Sequence, residues 1–315
     1  MALPGRRNSL KRAGLRLHKL GLHFGVQILP AHYYSPVPNI IELKNTQDDW
    51  ARPSTMPGVD VDLDQQAASL KSICLPFQQE YSSNKVYLEA VSEKSGPGFG
   101  YIEAQCLYAV IRHLKPARVI EVGSGVSTWC TLAALGCNSN GSSAPGRLTS
   151  IEPHPSDRLR TLKEIELVER EVQRVPIEVF TSLQKGDLLF IDSSHTVKVD
   201  GDVNFLILEV LPRLRPGVVV HFHDIGFPYD YPRDTLRTFF HAMETSLLHA
   251  FLIFNERAKI LFCLSQLHYQ RTEVLQQVFP DYVHQDDERG LQREDAKPFE
   301  SAAGHFPSSI YLQIQ

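Results

Sequence analysis

The sequence predicts an α/β fold: a seven-stranded, mostly parallel sheet with helices on both faces. Three observations predict it. From Tyr101 onward, short apolar runs alternate with helix-length periodic segments. The runs are continuously apolar, as strands covered on both faces require. The first run ends in a glycine-rich turn that opens a helix, which is where open α/β sheets place ligands.

The elements follow in order. Leu107, Val110, Ile111 and Leu114 fall at helical spacing, and Lys115-Pro116 closes that helix. Arg118–Val122 is a buried strand ending at Gly123, and Ser127–Leu135 reads as a helix. Gly136–Gly146 is a polar loop rich in Gly, Ser and Asn. Leu148–Glu152 is the second strand, Ser156–Val172 a charged helix, Pro176–Phe180 the third strand and Asp187–Asp192 the fourth. Val203, Leu206, Ile207, Val210 and Leu211 recur as on one face of an amphipathic helix. Pro216-Gly217 turns into Val218–Phe222, the fifth strand. A helix around Thr235–Leu248 leads to Lys259–Leu264, the sixth strand; a polar helical stretch follows, and Ser309–Ile314 returns late as an antiparallel seventh strand. This order is Rossmann-like, with residues 100–315 as the domain.

Residues 1–99 read as an irregular, partly helical cap region. Pro30, Pro36, Pro38, Pro53, Pro57 and Pro76 punctuate it, and it ends in the loop Ser95-Gly96-Pro97-Gly98. No acidic residue precedes Glu42, whereas Arg6, Arg7, Lys11, Arg12, Arg16 and Lys19 crowd the start. That pattern fits an organelle transit peptide, or a basic amphipathic helix lying on its own domain through Leu10, Leu15, Leu17 and Leu20. The stretch Gly21–Leu29 is too short and interrupted for a secretory segment.

Composition narrows the function classes. With 315 residues and 43% apolar content, the chain is long enough for one sizeable core plus appended segments. A net charge of −4 gives no global electrostatic case for nucleic acid. No apolar run approaches the ~20 residues that cross a bilayer. Cys74, Cys106, Cys130, Cys137 and Cys263 are scattered with no CxxC pair, which points to reduced thiols and a cytoplasmic location rather than a disulfide frame or zinc site.

In the turn, Gly123 and Gly125 let the backbone approach a ligand without Cβ interference, with Ser124 and Ser127 beside them. A dinucleotide fingerprint wants a third glycine where Thr128 stands. Glu121, just upstream, suits no pyrophosphate; it suits a cationic ligand such as the amino and sulfonium groups of S-adenosylmethionine. Glu152, ending the second strand, can accept hydrogen bonds from ribose hydroxyls.

The most distinctive stretch is Phe190-Ile191-Asp192-Ser193-Ser194-His195, with a counterpart in His221-Phe222-His223-Asp224. Asp192 and Asp224 close adjacent strands about 4.8 Å apart, so their carboxylates repel unless a cation or proton lies between them. A divalent metal answers that need and would activate an acceptor hydroxyl. His195 could take the proton. His221 reads as a satisfied core histidine and His223 as a third metal ligand, which would favour manganese, iron or zinc over magnesium.

The stretches EVGSGVST, FIDSSHTVKVDGDVNFLILEVLPRLRPGVVVHFHDI and SSIYLQI resemble bacterial class I methyltransferases, in the subgroup with an IDGSH-like segment, an LxPGG-like turn and an HD strand end. The likeness covers residues 100–315, and GLHFGVQILPAHYYSPVP resembles a leader that precedes such domains. In similar catechol and macrolide-sugar O-methyltransferases, aspartates ending strands four and five hold magnesium and a basic residue three positions after the first deprotonates the acceptor. The resemblance carries these roles onto Asp192, Asp224 and His195. Ile225 stands where the catechol enzyme has an asparagine ligand, and His223 where the sugar enzymes have an acid.

The expected function is S-adenosylmethionine-dependent O-methylation of a small hydroxylated acceptor, a sugar or natural-product intermediate, assisted by Mg2+ or another divalent metal. The expected partners are that acceptor and a homo-oligomeric assembly, with no nucleic acid and no membrane span. The aromatics of Phe227–Pro232 would stack on the acceptor or merely brace a rigid loop, and His32-Tyr33-Tyr34-Ser35 would close the pocket. Two alternatives are an iron-dependent hydroxylase on the same scaffold and an NAD-binding or non-catalytic Rossmann-like protein.

Overall fold

The computed structural model describes residues 4–35, 37–93, 99–139, 145–293 and 302–315. The expected loop Ser95-Gly96-Pro97-Gly98, and part of the expected loop Gly136–Gly146, lie outside the described residues. The chain forms two compact units, Met1–Trp50 with Leu236–Phe239, and Ala51–Thr235 with Phe240–Gln315. The units divide after Trp50, whereas the sequence pattern suggests a boundary after residue 99.

In the smaller unit, Pro4–His23 is a helix, and Leu15, Leu17, Leu20 and Leu22 on it are exposed. The Val26 N–H donates to the Gly21 carbonyl, folding the following segment back. Ile40–Asn45 is a short helix whose free N–H groups at Ile41 and Glu42 donate to the Asn39 side chain. Gln47–Trp50 adds one more turn.

The larger unit contains the sheet. Its strands are β1 (Arg118–Val122), β2 (Arg147–Ile151), β3 (Ile165–Val168), β4 (Leu188–Ile191), β5 (Val219–Phe222), β6 (Ala258–Cys263) and β7 (Ile310–Ile314). They lie in the order β3-β2-β1-β4-β5-β7-β6. β1 to β5 pair in parallel, and β7 inserts antiparallel between β5 and β6. The expected seven-stranded, mostly parallel sheet with one late antiparallel strand is therefore present.

Strand residues alternate between two covered faces, which explains the continuous apolar runs. In β4, Leu188 and Phe190 join one core with Leu70, Leu107 and Ile111. Leu189 and Ile191 join the other with Val203, Leu206, Ile207 and Val210. Helix Leu63–Cys74 belongs to the first core through Leu70 and Cys74. Its Gln66 accepts from the Cys263 N–H of β6 and donates to Gln266. That packing is why residues 51–93 join the sheet unit.

Three expected elements are corrected. Ser156–Val172 is not one helix: Ser156 caps a single turn, Asp157–Arg160, after which β3 pairs with β2. Pro176–Phe180 is not a strand; Ile177–Thr181 is a short helix that buries Phe180. The helix expected from Thr235 starts only at Glu244 and runs to Leu252. All five cysteines are free thiols, and no helix among the described residues is long and apolar enough to cross a membrane.

Candidate active site

The carboxyl ends of β1, β2, β4 and β5 are locked at one edge by a staggered ladder. Gly123 N–H donates to Ile151 O (3.0 Å), Asp192 N–H to Val122 O (2.9 Å) and His223 N–H to Ile191 O (2.9 Å). Gly123 has φ +84, and a Cβ on it would fall 2.0 Å from the carbonyl oxygen of Asp192. Only glycine fits that turn.

The residues around the turn separate into two groups. Gly123, Ser124, Gly125 and Glu152 are partly exposed at the sheet edge. Ser124 donates to one Glu152 oxygen (3.1 Å), and the His154 N–H donates to the other (2.9 Å). Glu121 and Ser127 point inward instead. Glu121 is fully buried and accepts from Ser127 Oγ and Thr128 Oγ1, each at 2.7 Å. Thr128 Oγ1 also accepts from the Gly125 N–H (3.2 Å). Thr128, in place of a third glycine, thus ties the turn to the carboxylate beneath it. Burial pushes the Glu121 carboxyl up to about 7 against the pull of these hydroxyls.

The fourth and fifth strands deliver the second cluster. Asp192 Oδ1 lies 3.2 Å and Asp224 Oδ2 3.4 Å from His195 Nε2. Two ligand bonds of about 2.1 Å at right angles separate their donor atoms by about 3 Å, so this set has the spacing of adjacent positions around a small divalent ion. His195 Nδ1 is 2.7 Å from Oε2 of Glu244, and the Glu244 N–H donates to the His195 carbonyl at 3.2 Å. Burial would lower the His195 pKa, but the hydrogen bonds to Asp192 and Glu244 and the Asp224 charge hold it well above the ordinary value. For Asp224, whose side chain is half exposed, desolvation by the surrounding protein is outweighed by His223 and His195, which keep the carboxyl below its usual range.

His223 lies behind this cluster. It is buried, 3.8 Å from Asp224 Oδ1 through Nε2, with Nδ1 3.4 Å from Ser309 Oγ. Among the described residues the groups spaced to hold a metal together are Asp192, His195 and Asp224. His223, expected as the third ligand, is not in that set, because the strand pleat directs its ring toward Phe99 and the start of β7. Glu103 completes that wall. It accepts from the N–H groups of Ser308 (2.6 Å) and Ser309 (3.1 Å), and Ser308 Oγ donates to Asp224 Oδ1 (3.1 Å).

A family model for a methyltransferase domain matches residues 120–225, the span that holds the turn, Asp192, His195 and Asp224. The chain therefore carries a methyltransferase domain over these residues. An uncharacterised protein of Archaeoglobus fulgidus is 29% identical over 169 residues, covering 50% of this chain and 74% of that protein. Among solved structures, the Podospora anserina methyltransferase PaMTH1 bound to SAH aligns with a TM-score of 0.39 and 14% identity, over 56% of this chain and 82% of that one. A Thermobifida fusca structure aligns with a TM-score of 0.33 and 10% identity, over 85% of this chain and 97% of that one. The family match supports S-adenosylmethionine-dependent methyl transfer over the hydroxylase and NAD-binding alternatives.

Two features of the site escaped sequence reading. Glu244 reaches His195 only because the chain returns after a long irregular segment; an acidic first turn on a buried helix was the available signal. Glu103 sits on helix Tyr101–Leu114, where its full burial was not encoded in periodicity. His221 is a core histidine as expected, stacked on Phe190 at 4.2 Å, but neither ring nitrogen has a hydrogen-bond partner among the described residues. Burial accordingly drives its pKa well down. In the expected acceptor loop, Phe227 is fully buried, Tyr229 packs against Tyr231 and Tyr269, and Asp230 pairs with His249 at 2.7 Å. These contacts favour the rigid-loop reading. His32–Ser35 belongs to the other unit.

Proposed function

We propose that the domain methylates a hydroxyl of a small acceptor, a sugar or natural-product intermediate, with the help of a divalent ion. The single observation behind this reading is that Asp192, His195 and Asp224 converge at the sheet edge that also carries the Gly123 turn. A cofactor turn alone serves any methyl acceptor. A carboxylate pair with an imidazole beside it serves an acceptor that must lose a proton.

When bound, the donor supplies an electrophilic methyl on sulfur, and the divalent ion supplies charge that lowers the acceptor hydroxyl's pKa. The protein does the rest. Gly123 and Gly125 keep the turn free of side chains, and Glu152 with Ser124 would meet the ribose hydroxyls. Glu121, through Ser127 and Thr128, holds the turn's shape rather than meeting the ligand. Asp192 and Asp224 would hold the ion. With an ion neutralising Asp192 and Asp224, His195 would accept the hydroxyl proton at Nε2, its Nδ1 being engaged by Glu244.

Calorimetry with S-adenosylmethionine and S-adenosylhomocysteine, with and without EDTA, tests the reading, followed by a screen of sugar and phenolic acceptors for S-adenosylhomocysteine release. Binding of both nucleosides with metal-dependent turnover is expected. Absence of binding to either would overturn the cofactor assignment, and turnover untouched by EDTA would remove the metal.

A further inference from the structure

We propose that Glu244 is a positioning residue for His195, selecting which ring nitrogen faces Asp192 and Asp224. This rests on the O-methylation reading above. Three observations carry it.

The first is double attachment. Glu244 holds His195 through its side chain, at 2.7 Å from Nδ1, and through its backbone N–H, at 3.2 Å from the His195 carbonyl. One residue thus fixes both the ring and the main chain of the other. The second is the backbone of His195, at φ +56. A non-glycine residue holds that left-handed conformation only where its surroundings impose it. The third is the environment of the carboxylate. The Glu244 side chain is 1% exposed, and its second oxygen, Oε1, has no hydrogen-bond partner among the described residues. A buried carboxylate is costly, and here the imidazole is what offsets that cost.

The chemical consequence follows from imidazole tautomerism. A carboxylate at Nδ1 accepts the Nδ1–H, so in the neutral ring the lone pair is left on Nε2. Nε2 is the nitrogen that lies 3.2 Å from Asp192 and 3.4 Å from Asp224. Without Glu244 the ring is free to rotate or to carry its proton on the wrong side. Loss of such an outer partner costs about 10–100-fold in function.

The test has two arms. Proton NMR of the ligand-free protein with 15N-labelled histidine should show a far-downfield Nδ1 proton from a carboxylate-bound imidazole. It should be absent from His195→Ala and Glu244→Ala and retained, shifted, in Glu244→Gln, whose carbonyl still accepts. The second arm is a double-mutant cycle on kcat with the best acceptor from the screen. Glu244→Ala should lower kcat about 10–100-fold, leave S-adenosylhomocysteine affinity unchanged, and have no further effect in the His195→Ala background. Absence of the resonance from the wild type, or its survival in Glu244→Ala, would overturn the proposal. So would an equal loss from Glu244→Ala in both backgrounds, since that is a merely structural role. If no hydroxyl acceptor is turned over, the O-methylation reading fails and the NMR arm alone decides the Glu244 assignment.

Discussion

Gly123 and Asp192 approach so closely that the Asp192 carbonyl oxygen occupies the space where a Gly123 side chain would begin, 2.0 Å from the Cβ position. The glycine turn and the acidic cluster are therefore packed as one unit rather than two loops that meet. Gly123→Ala should break both. The left-handed φ alone costs about 1–3 kcal/mol, and the distorted turn should raise the Kd for S-adenosylhomocysteine at least tenfold by calorimetry. Gly136→Ala is the contrasting case. Gly136 lies in the helix Val126–Asn138 with open space, free of other atoms to 4 Å, where an alanine methyl would sit. Alanine there should stabilise the protein by about 0.5–1 kcal/mol in urea unfolding.

Glu121 makes stability depend on pH. Its carboxyl sits at about 7 in the fold against an ordinary 4.5, so the folded state binds the proton more tightly than the unfolded chain. The stabilisation from this group is complete below about 4.5 and lost as pH rises through about 7. Glu121→Gln should flatten that part of the stability curve measured by urea unfolding. Thr128→Val, which strands a Glu121 oxygen, should cost about 1–3 kcal/mol.

His268 acts with the opposite sign. Burial, followed by the neighbouring charges of His284 and Arg233, lowers its pKa to about 3 from 6.5. Its neutral ring donates from Nε2 to the Gln285 carbonyl (3.2 Å) and accepts at Nδ1 from the Tyr282 hydroxyl (2.7 Å). The stabilisation is present above pH 6.5 and lost as pH falls toward 3. His268→Gln should make the unfolding free energy less sensitive to acid over the first pH units below about 6.5, as read by guanidinium titrations.

The carboxylate pair should govern metal binding without touching the nucleoside. Asp192→Asn and Asp224→Asn should each weaken Mn2+ binding at least tenfold by electron paramagnetic resonance, while the S-adenosylhomocysteine Kd stays within twofold. Unchanged Mn2+ affinity in both variants would dismiss this cluster as a cation site. A comparison of Mg2+ with Mn2+ adds the role of the imidazole: a nitrogen ligand favours manganese, whereas a free His195 leaves two oxygens that serve magnesium equally.

The central strands were legible because burial on both faces writes an unmistakable apolar run, as in Val119–Val122 and Leu188–Ile191. β3 was not, because it is an edge strand. Ile165 and Leu167 are only partly buried and Glu166 is exposed, so the segment reads as a continuation of the charged helix before it. Ile177 and Val179 misled in the other direction: β-branched residues suggested a strand, but burial of Phe180 under a single helical turn decided the outcome. At the site, the convergence of Asp192, His195 and Asp224 was legible because strand ends align in a parallel sheet. The inward turn of Glu121 was not, because Ser127 and Thr128 reach its two oxygens only once the helix has formed. Where the His223 ring points is likewise a matter of pleat, which residue identity does not record.

The insertion of β7 between β5 and β6 has a consequence for biosynthesis. Asp224 takes a hydrogen bond from Ser308, 84 residues further along the chain, and Glu103 clamps the same Ser308-Ser309 corner. A ribosome-bound chain that has extruded its first five strands already displays the glycine turn and both aspartates, yet β5 is still an open edge and Asp224 lacks its hydroxyl partner. Completion of the β5 edge, and of the hydrogen bond to Asp224, therefore waits on a segment synthesised after the rest of the sheet.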